Sequence, residues 1–465
     1  MVKRALKLVL FIGLAVLFVS CGGRKDLTEE EKALFKEYKS VKLEKDPETK
    51  KVYDFDGMQI IIGDFWSPSD GADNAEAVSP ADEDAKRFHK FLKSAYNMDI
   101  DAYGIGSWGA HPQTVANFCT TGGDENYIFV IDARSVSTGL KGNLFYDLST
   151  IKSIDWNDPK WDKATKELTS KNGGFYGMRA LASEPRGGVF FNKRLLKEAG
   201  IDPEEIYDLQ KDSKWTWETF EDMLKKTTRD LDNDGVFDTY GMANLSTEFC
   251  YLAAMSNGGS YIGKDSNGKY FNNIGNEKTL EALSWAADMK RKYERPQPEG
   301  ANWDWMYASF INGEVAFQVD QEYRVGNIAE MQDDWGFVCF PLGPKGDGKY
   351  GTLAQDNVYV IPGCYDKERA EKIAKAFDLY TTEVPGYDTT TWKEDYYSRF
   401  RDARAVDETL QLMRDNPVPR YDPMIIGINQ VGSVIWNVYG GGQTAQEAYE
   451  ATKNEYQGLI DEMNK

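Results

Sequence analysis

The stretch Asp230-Leu231-Asp232-Asn233-Asp234-Gly235-Val236-Phe237-Asp238 gathers oxygen ligands around a glycine. Counting Asp230 as position 1, oxygen-bearing side chains stand at 1, 3 and 5, glycine at 6, the Val236 carbonyl at 7 and Asp238 at 9. A hard cation such as Ca2+ takes six or more oxygens and needs a tight turn to collect them. Position 12 is Gly241, where a complete loop of this type carries a bidentate Glu, so other carboxylates would have to finish the shell. An Asx-rich turn that binds nothing has the same composition. Four carboxylates so close together repel one another without a counter-cation, so a structural calcium held by Asp230, Asp232, Asp234, Val236 and Asp238 is expected.

Other chemistries find little support. The chain has only two histidines, His89 and His111, and no HExxH. Gly343-Pro344-Lys345-Gly346-Asp347-Gly348-Lys349-Tyr350 mimics a phosphate-binding loop. It puts Tyr where the Mg2+-binding Ser or Thr belongs, and a strand-like run follows where a helix should open. It reads as a turn. No G-x-S-x-G elbow for a serine nucleophile occurs. The formal charge of -20 over 465 residues repels phosphate backbones, which argues against a nucleic-acid partner. With 41 % hydrophobic residues, 26 Tyr, 23 Phe and 12 Trp, the chain can build sizeable cores, and its length suits two to four domains or one large bilobal unit.

Any such site needs a scaffold, and the patterning alternates strand and helix. Met58–Ile62, Met98–Tyr103, Tyr127–Ile131, Gly188–Phe191 and Thr352–Ile361 read as strands. Thr216 can cap a helix carrying Phe220, Met223 and Leu224 on one face, with Glu218 in the first turn. Ala370, Ile373, Ala374 and Phe377 follow helical spacing, and Thr444-Ala445-Gln446-Glu447 is a capping box ahead of a long amphipathic helix. The alternation predicts an α/β class with mainly parallel sheets flanked by helices. Cys119, Cys250, Cys339 and Cys364 match no zinc or redox spacing, and no disulfide framework is expected.

The N-terminus reads as an address. Lys3, Arg4 and Lys7 precede a twelve-residue apolar run, Leu8–Val19. That run rises only ~18 Å as a helix against a bilayer core of ~30 Å, too short to span. It ends Leu17-Phe18-Val19-Ser20-Cys21-Gly22-Gly23, which resembles a bacterial lipoprotein lipobox, with Phe18 where Leu is usual. Residues 1–20 would be the signal peptide, Cys21 the lipidated residue, and 21–53 a charged, solvated tether; an ordinary secretory signal is the alternative.

The order of motifs between Gly173 and Gly241 carries a specific resemblance. Gly174-Phe175-Tyr176-Gly177-Met178, Val189-Phe190-Phe191-Asn192-Lys193, Leu195–Gly200, Trp215-Thr216-Trp217-Glu218-Thr219-Phe220 and Asp230–Gly241 follow one another, with Phe310–Phe317 and Phe340-Pro341-Leu342-Gly343-Pro344 downstream. This resembles the family 1 extracellular solute-binding proteins, the sugar-receptor lipoproteins of ABC importers that include the maltose-binding protein, over about residues 55–465. The resemblance implies a two-lobed clamshell of the periplasmic-binding-protein type. One lobe would comprise residues 54–182 and 341–386, the other 183–340 and 387–465, with ligand in the cleft between them.

Sugar recognition needs flat aromatic faces for the C–H surfaces of the ring and planar polar groups for paired hydroxyls. Trp66 follows the first strand, and Asp132 and Arg134 follow the third and match the family's polar pair there. Glu184 and Arg186 lie close to where the family carries a ligand-contacting acid. Tyr323, in Glu322-Tyr323-Arg324 after the Val315–Val319 strand, matches the position of a stacking Trp in the maltose receptor. Trp303, Asp356 and Asn357 are further candidates. The C-terminal stacking Trp of that receptor has no equivalent, the matching position falling near Ile428 and Asn429, so the ligand is not expected to be maltodextrin itself. Trp215 and Trp217 are read as packing around a helix start, and Arg134 could instead pair with a neighbouring Asp. The expected function is a membrane-tethered, monomeric receptor on the extracytoplasmic face, handing an intact mono- or oligosaccharide to ABC permease subunits. An exported glycoside hydrolase and a transport-independent glycan-binding lipoprotein are the alternatives. Arginines near the cleft would admit an acidic sugar.

Overall fold

The computed structural model describes residues 27–180, 184–354, 356–428 and 431–465, so Cys21 and the signal-like run lie outside the described residues. In chain order the sheet strands are β1 (Met58–Asp64), β2 (Met98–Gly104), β3 (Asn126–Ile131), β4 (Gly187–Asn192), β5 (Tyr240–Met242), β6 (Val315–Gln321), β7 (Trp335–Cys339) and β8 (Val358–Val360). They form two four-stranded sheets, ordered β8-β3-β1-β2 and β7-β4-β6-β5. Each sheet has its own core, which makes the molecule two α/β lobes.

In the first sheet β1 pairs parallel with β2 (Met58↔Met98) and with β3 (Ile62↔Ile128), while β8 closes the edge antiparallel to β3. The unbroken apolar run of β3 is explained by its two covered faces. Ile128 and Val130 pack towards Phe88, Phe91 and Leu92 of helix Pro80–Tyr96 and Ile373 and Phe377 of helix Lys367–Tyr380, whereas Phe129 and Ile131 face Val136 and Leu140. The second sheet departs from the expected mainly parallel pairing: β4 runs antiparallel to both β6 and β7, and only β5 joins β6 in parallel. The cause is connectivity. β4 is the strand by which the chain enters this lobe, so it runs away from the crossing while β6 and β7 run towards it, Gly187 pairing with Gln321 and Gly188 with Cys339.

Thr352–Ile361, which reads as one strand, is two. Thr352–Leu353 pairs with Pro417–Val418, and Val358–Val360 belongs to the first sheet, so the chain returns between lobes after Leu353. The segment from 341, expected to open the first lobe's return, packs instead with the second core through Leu342, Tyr350 and Leu353. Leu342 exchanges backbone hydrogen bonds with Trp215 and Trp217, and the Tyr350 hydroxyl donates to the Trp215 carbonyl at 3.0 Å, which ties it there. Similarly, Tyr387 and Asp395 still hold the first lobe, through Ala81 and Ser79, before Tyr396 and Phe400 join the second core.

The charged stretch expected as a solvated tether is docked from Thr28 onward. Thr28 and Glu31 form a capping box on helix Glu29–Glu37. Leu34 is buried, and Phe35 and Tyr38 set their rings edge-on to Phe91 and Phe88 at 5.3 and 5.1 Å. Three apolar side chains on one face outweigh the surrounding charge because the charges stay in water on the other.

Candidate functional site

Strand ends from both lobes converge on the crossing segments. Asp64, the last residue of β1, is buried, and its carboxylate accepts from the backbone N–H of Trp66 (3.1 Å) and Ser67 (2.8 Å) and from the Ser67 hydroxyl (2.6 Å). That Asx turn directs Trp66 outward, 54 % exposed, with Phe65 edge-on beneath it at 4.8 Å.

At the end of β3, Asp132 accepts the Arg134 backbone N–H at 2.9 Å and its guanidinium through Nε (2.8 Å) and Nη2 (2.7 Å). Trp108, past the end of β2, donates its indole N–H to Asp132 at 3.3 Å and lies under the Arg134 guanidinium at 4.4 Å. Burial alone would raise the Asp132 carboxyl, but Arg134 holds it below the usual carboxylate range. Arg134 therefore does pair with an aspartate, its own neighbour in the site, while still facing the other lobe. Arg134, Ser137 and Thr138 line a cavity of about 230 Å³ whose opposite wall is Asp422, Pro423 and Ile425–Ile428. Asp422 is clamped there by Arg420 (2.7 and 2.8 Å) and by the Tyr251 hydroxyl (2.7 Å). Ile428 thus borders the cleft, and Asn429 lies outside the described residues.

The second cluster straddles the crossing itself. Arg179, from the first lobe, reaches Glu184 (2.9 Å) and Asp356 (3.4 Å); Arg186 reaches Glu184 (2.8 Å) and Glu322 (3.7 Å). Glu184 donates its backbone N–H to Asp356 at 3.0 Å, and the Asn357 carbonyl accepts from Arg179 at 3.5 Å. Burial pushes Glu322 up to about 8 and Asp320 up to about 6, whereas for Glu184 burial is outweighed by Arg186 and Arg179, which hold it low. Tyr323 emerges from this cluster 45 % exposed, with Arg186 and Arg324 over its ring at 5.7 and 5.3 Å. Arg324 also covers Tyr307 at 4.8 Å, and exposed Trp303 meets Tyr307 edge-on at 6.5 Å.

The structure therefore brings Glu184, Arg186, Glu322, Tyr323, Arg324, Asp356 and Asn357 together at the crossing, links Trp303 to them through Tyr307, and gathers Asp132 with Arg134. Trp66 stands at the end of the neighbouring strand β1. Asp356 and Asn357 tie the two crossing segments to each other. The sequence alone did not single out Trp108, Arg179, Tyr307 or the cavity wall Asp422, Pro423 and Ile425–Gly427. Trp108 carried a usable signal, because Ser107-Trp108-Gly109 follows β2 as Trp66 follows β1; Arg179 carried none. Trp215 and Trp217 are buried, Trp217 stacked on Trp285 at 4.0 Å.

The aspartate loop lies apart, between helix Trp217–Thr227 and β5. Ligand oxygens of Asp230, Asp232 and Asp238 lie within 4.8 Å of one another. Asp234 turns its carboxylate to the Val236 N–H at 2.8 Å, and Asp230 accepts from Asp234 (3.2 Å) and Gly235 (2.9 Å). Positive φ at Asn233 and Gly235 makes the tight turn. Three of the carboxylates could hold a hard cation together, and the same contacts satisfy the turn by themselves.

Residues 106–379 match the family of bacterial extracellular solute-binding proteins, more than half of the chain. The protein belongs to that family. Solved structures with the same two-lobed fold include an ABC substrate-binding protein from Listeria monocytogenes in complex with cycloalternan (20 % identity, TM-score 0.60, 87 % of this chain and 100 % of that one). A cyclic alpha-maltosyl-1,6-maltose binding protein from Arthrobacter globiformis (14 %, 0.62, 87 % and 99 %) and the glycerophosphocholine-bound UgpB of Mycobacterium tuberculosis (15 %, 0.59, 86 % and 98 %) are similar as well. No curated protein matches the sequence. Among the described residues no helix is long and apolar enough to cross a membrane.

Proposed function

We propose that this protein is the substrate-binding lipoprotein of an ABC importer, closing on an intact saccharide between its lobes and presenting it to a permease. The observation that carries the reading is the pairing of exposed rings with planar polar groups at the strand ends: Trp108 with Asp132 and Arg134 on one lobe, Tyr323 with Arg186 and Arg324 on the other. Rings cover the apolar face of a sugar while carboxylate and guanidinium planes take its hydroxyls. Closure follows from binding only if the ligand contacts both lobes, as a molecule between these two clusters would. The resemblance of Leu17–Cys21 to a lipobox supports anchoring through Cys21 on the extracytoplasmic face, and the aspartate loop supports a structural calcium.

Calorimetric titration of the chain lacking residues 1–21 against a saccharide panel tests the central claim. Saturable binding with the sugar recovered intact is expected. Shortened products would make the protein a hydrolase, and no binding to any saccharide would end the reading. Replacing Cys21→Ser in the full-length chain should release it from the membrane fraction; retention there would overturn the lipid anchor.

A further inference from the structure

The crossing cluster bears on the charge of the ligand. Arg186 is 8 % exposed, donates to Glu184 and sits 3.7 Å from Glu322, yet its Nε has no hydrogen-bond partner. The Nε of Arg179, also buried, and that of Arg324 are unpartnered as well, the Asp320 carboxylate being 3.9 Å from Arg324. A buried guanidinium N–H without an acceptor is destabilising, and native structures leave few of them. Two of the three belong to the guanidiniums over one exposed ring, that of Tyr323, and the carboxylate oxygens Asp320 Oδ2 and Glu322 Oε2 beside them are unpartnered as well.

The local charge points the same way. Arg399 acts on Glu322 and Arg414 on Glu184, adding to Arg179, Arg186 and Arg324. The facing acids are Glu184, Asp320, Glu322, Asp356 and Glu248, which holds Gln321 at 3.0 Å. Burial raises the Glu322 carboxyl against the pull of Arg186, which favours its neutral form and tips the balance of the cluster towards the guanidiniums. The net charge of -20 belongs mostly to the rest of the surface, screened beyond ~8 Å at physiological salt. It would slow the approach of an anion more than it would weaken the bound state.

We propose that the ligand is an acidic saccharide, a uronate whose carboxylate lies against Arg186 and Arg324 while its ring stacks on Tyr323. A planar carboxylate accepts in parallel from guanidinium N–H groups, which an isolated hydroxyl cannot do. The inference rests on the saccharide reading of the cleft. Its test is calorimetric titration of the soluble chain with galacturonate, mannuronate and glucuronate oligosaccharides, each beside its carboxyl-reduced neutral counterpart of equal length. At least one acidic member should bind tenfold or more tightly than its reduced partner, with the gap narrowing between 50 and 500 mM salt. Arg324→Gln, at a partly exposed position, should narrow that gap while leaving the thermal midpoint in place, Arg186 remaining; a gap of unchanged size in the variant would overturn the assignment of the carboxylate. Equal or tighter binding of neutral members would overturn the acidic ligand and leave the saccharide reading standing. Failure of every saccharide, acidic and neutral, would overturn both.

Discussion

Glu294 makes stability depend on pH in a direction opposite to that of most carboxylates. It caps the C-terminus of helix Glu277–Tyr293, and its carboxyl accepts the hydroxyl of buried Tyr439 from helix Gly432–Tyr439. Burial pushes it from the ordinary 4.5 up to about 7, against the pull of Tyr439 and Lys290. The folded state therefore holds a proton that the unfolded state has released. The resulting stabilisation is complete below pH 4.5, falls as pH rises, and is gone once pH passes 7. At ~1.4 kcal/mol per pH unit, the gap from 4.5 to about 7 comes to ~3 kcal/mol, an upper value because the residue is not wholly enclosed. Glu294→Gln keeps an acceptor for Tyr439 and cannot ionise. Urea unfolding of both proteins between pH 4.5 and 8.5 should show the wild type losing ~3 kcal/mol relative to the variant, with the change complete by about pH 7.5. A difference that stays flat within ~0.5 kcal/mol across that range would refute the assignment of a proton to Glu294 in the folded protein.

Truncating Tyr323→Ala should weaken saccharide binding by ~2 kcal/mol, roughly thirtyfold, in calorimetry, with little change in thermal midpoint, because the ring is half exposed; an unchanged affinity would remove Tyr323 from the site. Trp217→Ala should cost ~3–5 kcal/mol in denaturant unfolding through loss of its stack on Trp285 and its hydrogen bond to Ser256, a penalty that a surface-lying indole would not incur. Calcium should raise the thermal midpoint of chelator-treated protein, and the double replacement Asp230→Asn with Asp232→Asn should abolish the rise; a midpoint indifferent to calcium after verified metal removal would leave the loop as a plain turn.

Local chemistry made much of the architecture legible. The run Met58–Ile62 between Gly and Asp residues, the buried stretch before Asp132, the Thr216 and Thr444 caps and the Ala370–Phe377 spacing all lie in the elements their side chains predict. These are short-range preferences, set by caps, period and burial of adjacent residues. Asp132 and Arg134 stand just past β3 and Tyr323 just past β6, the strand-end positions at which the patterning and the family resemblance put them.

Three matters were decided only by tertiary contacts. The apolar run Thr352–Ile361 carries no mark of the point where it leaves one sheet for the other; the break falls where Leu353 finds Val418 and Val358 finds Ile131. The direction of β4 depends on which lobe end the chain enters from, a global property that no window of residues contains. The charged segment after Thr28 became a docked helix because Phe88 and Phe91, some fifty residues away, offered its apolar face a partner. The same holds for the site's electrostatics. Composition supplied the arginines and acids, but only packing brought Arg179, Arg186, Glu184, Glu322 and Asp356 from separate segments into one low-dielectric cluster, where removal from water sets which of them stay charged.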